Sequence, residues 1–215
     1  MATNREQERL AKLAAATQAI YDRQAPDYDQ KRDKSLFEHK WLERVVQDVA
    51  RGGKVLDLGC GAGDPIGVWL HDQAFDVTGS DFSRDMLTLF AARIPGAKTV
   101  FSDMRDLSLP DRFDAIIGWG SFFHLTRDEQ RTALPKIAKH LAPGGRLLLT
   151  VGPGEGEATG HVGHDEVFHA SLSETAYRDL LEQNGCCVEA FVREDPECRG
   201  FTLLLARANA LGATI

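Results

Sequence analysis

The stretch VLDLGCGAGDP, residues 55–65, decides how this chain is read. An apolar run (Val55, Leu56, Leu58) leads into glycines at alternate positions, Gly59, Gly61 and Gly63. Asp64 is placed to cap a following helix, and Pro65 suits its first turn. A strand, a glycine loop and a helix N-terminus in this order bring unpaired backbone N–H groups close to a polar ligand. The spacing is G-x-G-x-G. Dinucleotide sites use G-x-G-x-x-G, whose third glycine makes room for the helix that meets the pyrophosphate. Asp57, two residues ahead of the first glycine, would repel a pyrophosphate and suits a ligand carrying an ammonium or sulfonium group.

Working outward, residues 5–20 predict an amphipathic helix with Leu10, Leu13, Ala14, Thr17 and Ile20 on one side. A break is expected over 21–33, around Pro26. A second helix follows over 36–50, where Phe37, Trp41, Val45 and Val49 recur every four residues, and Gly52-Gly53 ends it. Strands are then predicted at 54–58, 75–80, 98–102, 113–118 and 146–151. The helices between them lie at about 65–73, after Ser83, and from a capping box at Thr126 to about Leu141, with a kink at Pro135. A glycine- and histidine-rich loop precedes a helix that Ser171 and Glu174 would open and Asn184-Gly185 would close. Two strands, 186–193 and 200–207, finish the chain. A turn rather than a helix joins them, so they should pair antiparallel. Alternating β and α segments predict an α/β, doubly wound, mostly parallel sheet with helices on both faces.

At 215 residues the chain is long enough for one domain with a full core. No apolar run approaches the ~20 residues of a membrane span. The first residues, MATNREQERLAKLAAATQ, are polar and lack the apolar core of a secretory signal. A net charge of −7 weighs against a broad basic face for DNA or RNA. Cys60, Cys186, Cys187 and Cys198 lack zinc-type spacing and read as buried thiols of a cytoplasmic protein.

The glycine run resembles motif I of the class I S-adenosylmethionine (SAM) dependent methyltransferases, and GSDFSRDML, residues 79–87, resembles that family's second motif. The resemblance covers roughly residues 50–207 and is to the small-molecule type. It implies a Rossmann-like seven-stranded sheet whose last strand is antiparallel. Residues 1–35 would form an N-terminal helical lid, and 36–215 the catalytic domain.

It also implies a site beyond the carboxyl ends of the strands. Gly59, Cys60, Gly61 and Gly63 would line the donor loop. Asp57 would help hold the amino-acid end, or only brace the loop. Asp81, 24 residues on, would take the ribose hydroxyls, or serve as an acid at a helix N-terminus. Phe82 would lie on the adenine face beside Met86. Asp103, preferred over Asp106, and Met104 would meet the purine. Trp119 is a candidate floor, with Gly120 giving backbone access. Ser121 and Phe122 would line the substrate side. His124 is the best-placed general base, with a structural role as the alternative. Tyr28 would touch the donor from the lid and Tyr21 the acceptor. Lys31 and Arg32 are read as solvated rather than substrate-facing. His161, His164 and His169 with Asp165 and Glu166 fit no defensible metal spacing, so no metal is expected and the loop is read as a flexible flap, with His169 at the rim.

The expected function is transfer of a methyl group from SAM to an O, N or other nucleophile of a small metabolite by in-line displacement. S-Adenosyl-L-homocysteine would be the product. Neither a nucleic-acid nor a membrane partner is expected, and the chain would be a monomer or homodimer. The alternative is a non-catalytic SAM-binding protein of the same fold. An NAD-dependent oxidoreductase fails on the glycine spacing.

Overall fold

The predicted alternation appears in the computed structural model as a seven-stranded sheet flanked by helices. The structure describes residues 4–210, so residues 1–3 of the expected lid and 211–215 of the expected catalytic domain lie outside the described residues. The strands are β1 (Lys54–Leu58), β2 (Asp76–Asp81), β3 (Lys98–Phe101), β4 (Phe113–Gly118), β5 (Leu141–Val151), β8 (Cys186–Asp195) and β9 (Phe201–Ala208). Their order is β3-β2-β1-β4-β5-β9-β8. The pairs among β1 to β5 are parallel, and β9 runs antiparallel to both β5 and β8. The chain therefore reverses its winding between β1 and β4, and a cleft opens there at the carboxyl ends of the strands.

The central strands read as continuous apolar runs because both faces are covered. One face packs Leu56, Leu58, Ile116, Leu147 and Leu149 against α5 (Arg127–Lys139) and α6 (Glu174–Gln183). The other packs Val55, Val77, Ile117 and Leu205 against α2 (His39–Val46), α3 (Ile66–Asp72) and α4 (Arg84–Arg93). Ser83 caps α4 by accepting from the Met86 N–H, and Thr126 with Glu129 forms the expected capping box on α5, which continues across Pro135.

Several local expectations are overturned. The first helix does not break near Pro26: α1 runs unbroken over Asn4–Lys31. Its buried face continues past Ile20 to Ala25, and packing of that face outweighs the hydrogen bond that Pro26 forgoes. The second helix is shorter than predicted, because Leu36 has φ +56° just before it. Asp64 does not cap α3; its carboxylate lies 3.0 Å from Lys34 Nζ instead. The cap of α6 is Ser173, which accepts from the Ala176 N–H, while Ser171 is drawn into the core.

The largest change concerns the glycine- and histidine-rich loop. It is a β-hairpin, β6 (Gly156–Val162) and β7 (Asp165–Ser171), in continuous antiparallel register across a two-residue turn, Gly163-His164. Val162, Val167, Phe168 and Ala170 bury themselves against Leu10, Leu13, Ala14, Ala16 and Ile20 of α1. Helix α1, backed by the hairpin, roofs the cleft. Among the described residues no helix is long and apolar enough to cross a membrane.

Candidate active site

The cleft lies under α1, at the ends of β1, β2 and β4, and opens to solvent. Each glycine of the 59–63 loop has a positive φ (+71°, +52° and +82°), which only glycine adopts without strain. Packing separates them further. A Cβ on Gly59 would sit 2.4 Å from Ser121 Cβ, and one on Gly63 would sit 2.7 Å from the Phe90 ring. On Gly61 it would meet only Met86 Sδ, at 3.9 Å. Gly59 and Gly63 therefore seat the loop on its neighbours, and Gly61 borders open space in the cleft. The half-buried Cys60 lies beside them, and desolvation, with the Asp81 and Asp57 charges adding, raises its thiol pKa well above the usual value.

Two buried carboxylates flank this loop. Asp81 accepts from Gly61 N–H at 2.9 Å and Ser83 N–H at 2.8 Å, so the end of β2 fixes the loop from below. Burial still pushes its carboxyl up to about 6. Asp57 is 3 % exposed and lines the cleft, and no group among the described residues donates a hydrogen bond to it. Burial, with the Asp81 charge adding, pushes it up to about 7. Its carboxylate faces the cleft, and a cationic ligand there would favour the ionised form.

Phe82 and Met86 line one wall, and Gln18 of α1 donates to the Phe82 carbonyl at 2.9 Å. Met104 and Asp103 follow β3. Burial raises the Asp103 carboxyl, but hydrogen bonds and charge from Arg105 outweigh this and hold it below its ordinary value. Arg105 also reaches Glu129 at 2.9 Å. Asp106 turns outward to Lys136. Trp119 forms the floor, packed on Phe37 and Phe201, and its buried Nε1 has no hydrogen-bond partner. Ser121 lines the cleft while its Oγ donates to the Leu58 carbonyl at 2.8 Å.

His124 is in the cleft wall, but not as an open base. Its Nδ1 lies 3.0 Å from the Phe168 carbonyl, which can only accept, so Nδ1 carries the proton. Nε2 then accepts from the Tyr21 hydroxyl, 2.8 Å away. Burial pushes the imidazole down to about 4, so it is neutral at neutral pH. Tyr21 and Tyr28 meet edge to face at 5.5 Å and both line the cleft.

Two expected substrate contacts are not brought to the cleft. Phe122 is fully buried in the core, where it anchors the short helical turn over Phe122–His124. His169 packs on Phe123 and on the far side of His124, at 4.6 and 5.0 Å between ring centroids. Conversely, Thr17, Gln18, Arg32, Arg105 and Glu129 line the cleft, and the sequence reading assigned them no role there. Arg32 is no solvated loop residue: it pairs with the fully buried Glu38. Ala14, Thr17-Gln18, Tyr21, Tyr28 and Arg32 keep a helical spacing, the signal that a break at Pro26 obscured. Among the described residues, no group of three or more His, Cys, Asp or Glu side chains converges as a metal site would need.

Residues 55–145 match the family model described as "Methyltransferase domain". Over 137 residues, 62% of this chain and 28% of the other, the sequence is 30% identical to "Probable tRNA methyltransferase 9B" of Mus musculus. It is 36% identical over 97 residues to dTDP-3-amino-3,4,6-trideoxy-alpha-D-glucopyranose N,N-dimethyltransferase of Streptomyces venezuelae, covering 44% of this chain and 40% of that protein. The chain spans less than two thirds of the length of these curated relatives. Among solved structures, the 1,6-didemethyltoxoflavin-N1-methyltransferase of Burkholderia thailandensis, with bound 1,6-didemethyltoxoflavin and S-adenosylhomocysteine, superposes with a TM-score of 0.70. That match covers 97% of this chain and 92% of the other at 21% identity, a likeness of fold.

Proposed function

We propose that this chain is a class I SAM-dependent methyltransferase and that it transfers a methyl group from SAM to a nucleophilic atom of a small molecule. The observation that carries this reading is the pair of buried acids on the glycine loop, Asp57 without a hydrogen-bond donor and Asp81 at the end of β2. A ligand with a cationic amino-acid end, a ribose diol and an aromatic base fits that donor and acceptor set. Asp57 faces the ammonium group, directly or through water, and the loop N–H groups approach the same end. Asp81 accepts the ribose hydroxyls, and Phe82, Met86, Asp103 and Met104 border the base. Trp119 forms the floor of this site.

SAM, when bound, supplies a methyl group already activated on a sulfonium. What the chain adds is placement and exclusion of water. Helix α1, backed by the hairpin, covers the cleft, which supports a compact metabolite as acceptor rather than a nucleic acid. His124 acts on Tyr21 as a positioning residue. By accepting the phenolic hydrogen bond it points the Tyr21 lone pairs toward the cleft, where they can accept a hydrogen bond from the acceptor's own N–H or O–H.

Calorimetry with SAM, followed by incubation of methyl-labelled SAM with metabolite pools, tests the proposal. We expect binding and a labelled small molecule. Binding without product under any pool would favour a non-catalytic SAM-binding protein, and no binding at millimolar SAM would overturn the reading. Tyr21→Phe and His124→Ala should lower kcat with little change in SAM affinity, and His124→Gln, which keeps an acceptor for Tyr21, should recover part of it. Loss of SAM affinity in all three would move the pair to the donor wall.

A further inference from the structure

The two-stranded hairpin has two edges, and only one is closed. Along β7, the Phe168 carbonyl accepts from His124 and the Ala170 carbonyl from Gln130 Nε2 at 2.8 Å, so both point away from β6. In an antiparallel pair, facing residues turn their backbone groups inward or outward together. Phe168 faces Thr159, Ala170 faces Glu157 and Glu166 faces His161. Glu157, Thr159 and His161 therefore turn their N–H and C=O groups outward on the far edge of β6. Among the described residues no strand pairs with that edge, and residues 156–159 and 161 are exposed.

We propose that this edge pairs antiparallel with β6 of a second copy of the chain, joining two hairpins into one four-stranded sheet. The argument for a second copy, rather than another partner, is that the strand is complementary to itself. A two-fold axis through Thr159 sets Thr159 against Thr159, Ala158 against Gly160 and Gly156 against Val162. It also sets Glu157 against His161 twice, an acid against a group that donates a hydrogen bond when neutral and is cationic when protonated. The same register makes 157, 159 and 161 the hydrogen-bonded positions, which the outward-facing backbone groups require. Thr–Thr and acid–base pairs across strands are favourable, and an isologous contact of this kind closes at two copies. The edge carries neither Lys nor Pro over 156–162, the residues that commonly block such pairing. Glu157 has only a loose exposed contact with Arg127, at 3.6 Å, to give up. Because the hairpin backs the helix that roofs the cleft, the dimer would hold the two hairpins, each behind its own roof, against each other.

Register-specific cross-linking of the full chain tests this. Two Thr159 Cα atoms across the axis would lie about 5.5 Å apart, within disulfide reach. Two Glu157 Cα atoms would lie about 13 Å apart along the strands, out of reach. Under mild oxidation Thr159→Cys should form a linked dimer at least about tenfold faster than Glu157→Cys, with the wild-type chain and its exposed Cys187 as the blank. Sedimentation at about 100 µM, above the micromolar constants of modest interfaces, should show a wild-type dimer. Thr159→Pro, which removes an outward N–H and none of the hairpin's own, should dissociate it. A monomer at that concentration overturns the proposal. So does equal cross-linking at 157 and 159, or a dimer that a folded Thr159→Pro chain retains. If that variant does not fold, the cysteine pair decides.

Discussion

Asp57 and Asp81 hold the same charge in neighbouring buried places, and each is stabilised differently. Asp81 has two backbone N–H donors; Asp57 has none. A folded-state pKa of about 7, above the unfolded carboxylate value, means the unliganded fold binds a proton at Asp57 more tightly than the unfolded chain does. Its contribution to stability therefore falls as pH rises from about 4 to 7, and Asp57→Asn should be stabilised relative to wild type in melts above that range. The cationic end of SAM would require the ionised form. Affinity by calorimetry should therefore weaken about tenfold from pH 8 to pH 6, and Asp57→Asn should flatten that profile. Asp81→Ala should cost about 1–3 kcal/mol of SAM binding, since the loop and the ribose would both lose an acceptor. The glycines were legible from their spacing, and Asp57 and Asp81 from their places at predicted strand ends together with the family resemblance. The engagement of His124 by Tyr21 was not, because 103 residues separate the two partners.

At the scale of elements, the site depends on α1 and the hairpin, and these are where local reading failed. Pro26 reads as a break and the glycines over 152–163 as a loop, because each judgement weighs a residue without its neighbours in space. The apolar faces of α1 and of β7 need each other: Phe168 and Ala170 are buried only because Leu10, Leu13 and Ala14 cover them. Phe168→Ala should remove about 3–5 kcal/mol of this packing. The measurable result is faster amide exchange across α1 and the hairpin, with β1, β4 and β5 unchanged. Slow exchange in α1 of that variant would show that Asp29–Arg93 and the other contacts with α4 hold the helix instead. The cap of α5 is a purely local device, and Thr126→Ala should cost about 1 kcal/mol in denaturant titrations.

Across the whole molecule, one buried polar network ties the roof to the core. Tyr177 of α6 donates to Gln130 of α5 at 2.6 Å, lies 3.1 Å from Ser171 at the end of β7, and accepts from the Leu172 N–H. Gln130 in turn donates to the Ala170 and Leu125 carbonyls. Tyr177→Phe would leave Gln130 Oε1 without its donor and should lower stability by about 1–3 kcal/mol. Thermal denaturation would show it, and the roof should loosen in the same variant. A change confined to Tm, with α1 exchange unaltered, would make the network a support of the core alone.

By itself, the sequence determined the sheet, its winding and the glycine loop, because hydrophobic period, helix caps and glycine spacing are local signals that each segment carries. Strand ends and the resemblance to family motifs placed Asp57, Gly59, Gly61, Gly63, Asp81 and Met104 on the cleft. Only the tertiary structure decided the roof: an unbroken α1, a hairpin in place of a flap, Arg32 inside and Phe122 and His169 away from the cleft. Those outcomes rest on burial shared between segments far apart in the chain, and a single segment does not encode what will cover it.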